Sequence, residues 1–443
     1  MTKKNILIFF DHDFIIRNFL STNSLKQIDK THNVKYVFPL SKTKRFSNIP
    51  NIKNLEYLSI DINLKRDYLI KRMYHLISIK DLSKRKIKDK KIMSFFFKKA
   101  LKKFFYVDSI LALPLVYRIS LFIYKLIIGY NKNLEQLILK NSSELIIHPT
   151  VLNGHFAYDL VNICKKNKLP CYFLMNSWDN PSTKPFSGNM PSKYFVWGKQ
   201  SFNHSLKYLN MKPKDVVISG AAQFEIYRDI KNNLDFTNNY NKPICFAGSS
   251  KGLDEISILE FLDNSKKITR DIIYKPHPWK DFTNNEKNFN SINFKKTSMY
   301  NKVIEEYGLY YSKRKFDLNK SNIFSNKFLF KEISILICPI STILLEAILN
   351  NIPVILYDPT IDSEEFSHQF IARTRIQYTE MFENLKPITV DNMNELDNKI
   401  NTLLNNETLY LSYIDELKSR VNFFINFEDK TYSEIILDNI KSL

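Results

Sequence analysis

Apolar residues in this chain gather in short, nearly continuous runs. In the first half these are NILIFF (5–10), VKYVFPL (34–40), LEYLSI (55–60), ELIIH (144–148), CYFLMN (171–176), KYFVWG (193–198) and DVVISG (215–220). Strands of a parallel sheet are covered on both faces and read as such runs, and the longer mixed segments between them supply crossover helices. A polar stretch, NNLDFTNNYNKP (232–243), breaks the pattern. It restarts with ICFAGSS (244–250), ITRDIIYKPHP (268–278), EISILICPIS (332–341) and IPVILYDP (352–359), and residues from about 396 to 443 read as helices. The pattern predicts an α/β protein of two Rossmann-like domains, 1–231 and 244–443, joined by a linker at 232–243, with parallel sheets facing across a cleft.

Composition narrows the function classes. A chain of 443 residues suits two cores, and 44% hydrophobic with 14% aromatic content excludes a disordered chain. Eight glycines are few, and neither GxGxxG nor a Walker A pattern occurs, which argues against a dinucleotide-binding enzyme and a P-loop NTPase. Cys164, Cys171, Cys245 and Cys338 lie in apolar runs without metal spacing and read as reduced core residues. Met1-Thr-Lys-Lys leads straight into a strand-like run, so no secretory leader is expected.

The net charge of +20 is unevenly spread. Between residues 80 and 103 eleven lysines and arginines face only Asp81 and Asp89, interrupted by Phe95-Phe96-Phe97 and followed by Phe104-Phe105-Tyr106. The continuation SILALPLVYRISLFIYKLIIGY (109–130) is strongly apolar but carries Pro114, Arg118 and Lys125. It falls short of a transmembrane helix. Lysines for anionic headgroups and rings for the interface suit a membrane-surface segment over about 80–130, with the five phenylalanines as the inserting groups. The plainer reading is a solvated basic helix followed by a core helix. No nucleic-acid-binding signature accompanies the charge, so nucleic acid is not the expected partner.

Ligands of open α/β sheets sit at the carboxyl ends of strands. In the second domain three such ends carry polar groups. One is the small-residue loop Gly248-Ser249-Ser250, whose amides suit a phosphate. Another is Lys275-Pro276-His277-Pro278, where two prolines fix the backbone on both sides of a histidine. The third is CPISTILLEA (338–347), where Ser341 and Thr342 begin a helix and Glu346 follows within reach of a ribose hydroxyl. Each has an ordinary alternative: a turn, a loop histidine, an N-cap. Together they favour a nucleotide-diphosphate pocket.

These residues resemble a known family. KPHP followed by PIST-x-x-x-EA and PVI is similar to the second domain of GT-B glycosyltransferases of bacterial surface polysaccharides, in the group of CDP-glycerol glycerophosphotransferases, capsule Kdo transferases and polysialyltransferases. The resemblance covers most of 145–360 and is specific as a combination, weak in any single motif. It implies donor-phosphate contacts for His277, Ser341 and Thr342, with His277 stabilising the leaving group. In the first domain MNSWDNPSTKPF (175–186) stands where teichoic-acid-type enzymes carry Trp-His-Gly-Thr-Pro-Leu-Lys. Trp178 and Lys184 match the ends of that motif, Asp179 replaces its histidine and Asn180 its glycine. The comparison makes Asp179 the expected general base, with an Asp-Asn-Pro turn as the alternative, and favours a sugar over glycerol phosphate as the transferred group.

Other candidates lie on the acceptor side. Asp11-His12-Asp13 resembles a DxD metal motif but follows the first strand, so His12 and Asp13 are expected at the acceptor rather than on a metal. His148 and Asn153, close to Gly154 and His155, read as acceptor lining or as an ordinary helix start. The expectation is a metal-independent, inverting glycosyltransferase that takes a nucleotide sugar and a glycan or lipid-linked glycan acceptor, without a cofactor, peripheral at the cytoplasmic face of a bacterial membrane. The alternatives are a CDP-glycerol-type polyol-phosphate transferase, a non-catalytic GT-B scaffold and a UDP-sugar 2-epimerase.

Overall fold

A computed structural model describes residues 3–22, 24–43, 56–85, 87–228, 242–249, 253–277, 288–300, 325–359, 373–427 and 430–443. Contacts divide the chain into two compact units, Met1–Glu225 with Phe424–Leu443, and Ile226–Phe423. The stretch from 424 onwards, expected to end the second domain, therefore belongs to the first. Its closing helix, Tyr432–Lys441, explains why: Tyr432 packs edge-on to Phe19, Ser433 donates to the Ser24 carbonyl (2.5 Å), and the Tyr172 hydroxyl donates to the Asn439 carbonyl (2.9 Å). Most of the expected linker lies outside the described residues.

The first unit holds a seven-stranded sheet of β1 (Asn5–Phe9), β2 (Asn33–Pro39), β3 (Tyr57–Ile60), β4 (Leu145–Thr150), β5 (Cys171–Met175), β6 (Lys193–Val196) and β7 (Val216–Ile218), in the order β3-β2-β1-β4-β5-β6-β7. The second holds β8 (Ile244–Ala247), β9 (Ile272–Lys275), β10 (Thr297–Met299), β11 (Ile335–Cys338), β12 (Val354–Tyr357) and β13 (Ile388–Val390), in the order β10-β9-β8-β11-β12-β13. Every pairing is parallel, as the continuous apolar runs predict. The order reverses at β1/β4 in one sheet and at β8/β11 in the other, the two places where such sheets open a crevice for ligand. The four cysteines are buried and unpaired.

Between β3 and β4 the first unit inserts a helical layer. The helix Leu64–Asp81 starts at Asn63, whose side chain accepts from the Arg66 amide (3.1 Å). It turns Leu76 and Ile79 into a cluster with Met93 and Leu101 of the next helix, Ile87–Leu101, and with Ala112, which follows the helix Lys103–Leu111. Phe97 and Phe105 pack against that cluster, so two of the rings expected at a membrane face the protein instead. The helix Pro114–Ile128 opens on a proline at its first turn. Leu121 and Tyr124 rest against its neighbours. The rest of its apolar surface is bare: Leu115, Ile119, Phe122, Leu126 and Ile127, with Ile110 of the preceding helix, are between 61% and 89% exposed. The core-helix alternative thus accounts for one stripe only. No single described helix is long and apolar enough to cross a membrane; the pair Phe104–Leu111 and Pro114–Ile128 reaches the necessary length together but is bent by 107°.

Candidate functional site

In the second unit β9, β8 and β11 are neighbours, so their carboxyl ends bring Lys275-Pro276-His277, Gly248-Ser249 and the segment from Cys338 to Thr342 side by side. His277 is half-buried, and Lys275 is buried at the strand end. The small-residue loop is held from within. The Gly248 amide donates to the Lys275 carbonyl (2.8 Å) and the Ser249 amide to Glu255 Oε1 (2.6 Å), while the Tyr274 hydroxyl donates to Glu255 Oε2. A Cβ on Gly248 would stand 2.5 Å from that carboxylate, which is why a glycine sits there. These two amides are therefore spent inside the fold, contrary to the phosphate role expected for them; Ser250 lies outside the described residues. Burial pushes the Cys245 thiol up to about 12 although Lys275 opposes it, which keeps this cysteine inert beside the strand ends.

Thr342 occupies the N-cap position of the short helix Ile343–Leu349, yet its side chain makes no cap bond. Its hydroxyl and that of Ser341 stand half-buried where the chain leaves β11. Glu346, expected at a ribose, accepts through Oε2 from the Tyr227 hydroxyl (2.6 Å) and Asn326 Nδ2 (2.8 Å).

The first unit corrects several expectations. Asp179 stands at the N-cap position of the four-residue helix Asn180–Thr183, without a side-chain bond to a helix amide. Its Oδ1 accepts from Ser177 Oγ (2.6 Å) and Lys184 Nζ (3.3 Å), and its Oδ2 from Thr183 Oγ1 (3.3 Å). The carboxylate expected to act as base is folded back onto its own turn, as the Asp-Asn-Pro alternative implies. Trp178, expected on the acceptor, is buried, donates to Gln200 Oε1 (2.7 Å) and packs edge-on to Phe424. Asn180 is buried too and ties this turn to the Thr150 carbonyl (2.9 Å).

His148 also moves inward. The apolar run predicts a strand end at His148, but β4 continues through Pro149 and Thr150, which pair with Leu174 and Met175. The ring is wholly buried, with Nδ1 bonded to the Phe9 carbonyl (2.9 Å) and Nε2 facing Asp11 Oδ2 at 3.6 Å. Burial holds this imidazole below its usual range, against the opposing pull of Asp11 and of the Phe9 carbonyl. Both Asp11 oxygens and His148 Nε2 are buried without a hydrogen-bond partner. Asp13 opens the helix Asp13–Leu20, and His12, at its N-cap, stacks on Phe14 and stands 5.9 Å from the ring of His155. Asn153 is exposed just before them. Among the described residues no group of three His, Cys, Asp or Glu side chains is placed to hold a metal ion.

The sequence singled out neither Asp67 nor the role of His155. Leu152, with φ at +69°, turns the chain sharply after β4 and returns it over Asp11. His155 Nδ1 then meets Asp67 Oδ1 at 2.8 Å. The two are 88 positions apart, so no local signal joins them.

Comparisons with known proteins agree with this fold. No family model matches the sequence, and no curated protein matches it. Among solved structures, a putative UDP-N-acetylglucosamine 2-epimerase from Listeria monocytogenes is similar with a TM-score of 0.54 at 11% identity, covering 100% of this chain and 96% of that one. The MnaA protein of S. aureus, solved with UDP, follows at 0.50 and 14%, covering 100% and 96%. The wall teichoic acid polymerase TagF is similar at 0.45 and 12%, covering 100% and 89%, a score too low to carry an argument. The fold is that of the GT-B class, two parallel-sheet α/β domains of seven and six strands.

Proposed function

We propose that the protein transfers a sugar from a nucleotide-sugar donor to a hydroxyl of a surface-glycan acceptor, with inversion and without a metal, at the surface of a bacterial cytoplasmic membrane on its inner face. The observation that carries this reading is the alignment of β9, β8 and β11, which sets His277, Lys275, Ser341 and Thr342 at neighbouring strand ends beside the β8/β11 switch point. A fixed imidazole, an ammonium and two hydroxyls can neutralise the charge that grows on a departing nucleoside phosphate. The UDP in the S. aureus MnaA structure supports a nucleotide as the ligand of this fold.

The membrane part rests on the bare apolar surface of the helices ending at Leu111 and Ile128, beside exposed Lys90, Lys91, Lys98, Lys99, Lys102, Arg118 and Lys125. Cations next to a large apolar patch complement anionic headgroups over acyl chains.

The test is a panel of nucleotide sugars scored for release of nucleoside phosphate, with thermal shifts in CMP, CDP, UDP and GDP. His277→Ala should lower turnover by about 10²–10³ while the fold melts normally. EDTA should leave activity unchanged; an absolute requirement for Mg²⁺ or Mn²⁺ refutes the metal-free part. The similarity to a putative UDP-N-acetylglucosamine 2-epimerase favours one second reading, interconversion of two UDP-sugars. Conversion of a UDP-sugar to its 2-epimer with no acceptor product would establish that reading instead.

A further inference from the structure

The carboxyl ends of β9, β8 and β11 carry His277, Lys275, Ser341 and Thr342, and the next strand in the row, β12, ends in a charged group that none of the roles above uses. Register pairs Cys338 of β11 with Leu356 of β12, so Asp358, two residues on, stands level with Ile340, next to Ser341. Its amide still donates to the Val390 carbonyl (2.9 Å), which keeps it in line with the sheet. The residue is 2% exposed, and a carboxylate buried to that degree needs a counter-charge. Arg373 supplies it, from just before the helix Ile376–Asn384.

The pairing is one-sided. A guanidinium has two edges that can each hold a pair of oxygens, one along Nε and the neighbouring Nη, the other across the two Nη atoms. Arg373 Nε donates to Asp358 Oδ2 and Nη2 to the Asp358 carbonyl (3.3 Å), so Asp358 closes the first edge with its side chain and its backbone together. The edge across the two Nη atoms has no partner among the described residues, and the side chain stays 32% exposed. Arg66 of the first unit shows the opposite arrangement, with that same edge closed on Asp159 by two bonds of 2.5 Å. Arg373 is also fixed from behind, because Thr379 Oγ1 donates to its backbone carbonyl (3.1 Å).

Two parallel N–H groups on a fixed cation match two oxygens of one phosphate. Burial raises the Asp358 carboxyl and Arg373 opposes the rise, so each member of the pair depends on the other. A lysine in place of Arg373 would keep the charge but lose the fork.

We propose that Arg373 binds the phosphate of the nucleotide donor through its open edge, with Asp358 as the positioning residue that holds the guanidinium by the other. The assignment rests on the transferase reading and deepens it, because it adds a fourth strand end to the donor site. His277 and Lys275 offer single donors there; the end of β12 offers a planar pair.

The test measures binding to the full chain by calorimetry, in competition where binding is weak. The probes are CMP, CDP, UDP and GDP, with cytidine, uridine and guanosine as their phosphate-free counterparts. Arg373→Lys keeps a cation beside Asp358, and thermal melts check that it folds. It should bind the preferred nucleotide about tenfold to a hundredfold more weakly, and the matching nucleoside as wild type does. Asp358→Asn should weaken nucleotide binding less, again with the nucleoside unaffected. Equal losses for nucleotide and nucleoside would make the pair a brace for the strand end and overturn the proposal. Wild-type nucleotide affinity in folded Arg373→Lys overturns it as well and leaves the transferase reading standing. A wild type that binds no nucleotide overturns both. A phosphate preference lost in Arg373→Lys, in a protein that transfers sugar from no donor, supports the arginine and overturns the transferase reading.

Discussion

Replacing Leu115, Phe122 and Leu126 together by serine tests the membrane surface most directly. These side chains are 89%, 66% and 70% exposed, so their loss removes almost no contact within the protein. Full transfer of such a side chain from water to an apolar medium yields about 1.5–3 kcal/mol. Insertion to the headgroup boundary collects part of this, roughly 1.5 kcal/mol each, or roughly 4–5 kcal/mol for the three. At about 1.4 kcal/mol per decade the variant should bind vesicles about a thousandfold more weakly. The cations act separately: each lysine near an anionic surface adds about 1 kcal/mol, screened by salt. Changing Lys90, Lys91, Lys98 and Lys99 to glutamine should therefore weaken the preference for anionic lipid and flatten the salt dependence, while the serine variant keeps both but binds weakly. Sedimentation with phosphatidylglycerol-containing and purely zwitterionic vesicles, at low and high salt, reads all of this, and thermal melts confirm that each variant folds. Wild-type sedimentation by the serine variant refutes the reasoning. So does a wild type that ignores vesicles but forms a dimer that the serine variant loses, because the apolar face would then be a protein interface.

Three further outcomes follow from the geometry. Asp179→Asn should lower Tm by the equivalent of about 1 kcal/mol, since it weakens the bonds closing the turn, while turnover by the folded protein stays near wild type; a large loss of kcat at unchanged Tm would restore Asp179 as the base. Gly154→Ala puts a methyl group where Asp11 already stands, and overpacking of this kind costs roughly 1–3 kcal/mol, read as a lower Tm. His148 is held below its ordinary value of 6.5 in the fold, so an unfolded chain takes up its proton first as pH falls. Stability is present above that value and lost below it, and Tm should fall more steeply from about pH 7 to pH 5 in wild type than in His148→Gln; parallel slopes would refute this.

The central strands were legible because burial on both faces writes a continuous apolar run. The edge strands β10 and β13 were not: each has three residues, Thr297-Ser298-Met299 and Ile388-Thr389-Val390, too short and mixed to stand out. His148 was misplaced because Pro149 looks like a break, whereas β4 pairs with β1 only over Leu145–Ile147 and with β5 as far as Thr150. The basic and apolar character of 80–130 was legible in composition, but which rings turn inward depends on how four helices stack, and that put Phe97 and Phe105 on the wrong side of the expectation. Asp179 was chosen by analogy with a motif position; Ser177, Thr183 and Lys184, which donate to it, are local, yet their aim is a property of the folded turn. The His155–Asp67 pair was beyond sequence reasoning because its partners come from separate elements.

The return of 424–443 to the first unit has a consequence for biosynthesis. The chain leaves that unit at Glu225 and re-enters it at Phe424, with the whole second unit in between. A ribosome delivers residues in order, so the N-terminal sheet must wait, lacking the closing helix that meets Phe19, Ser24 and Tyr172, until every residue of the second unit has been made. The second unit is complete on emergence at Phe423 and is free to fold first. Completion of the first unit thus depends on residues made last, and until then its sheet stands without that closing helix.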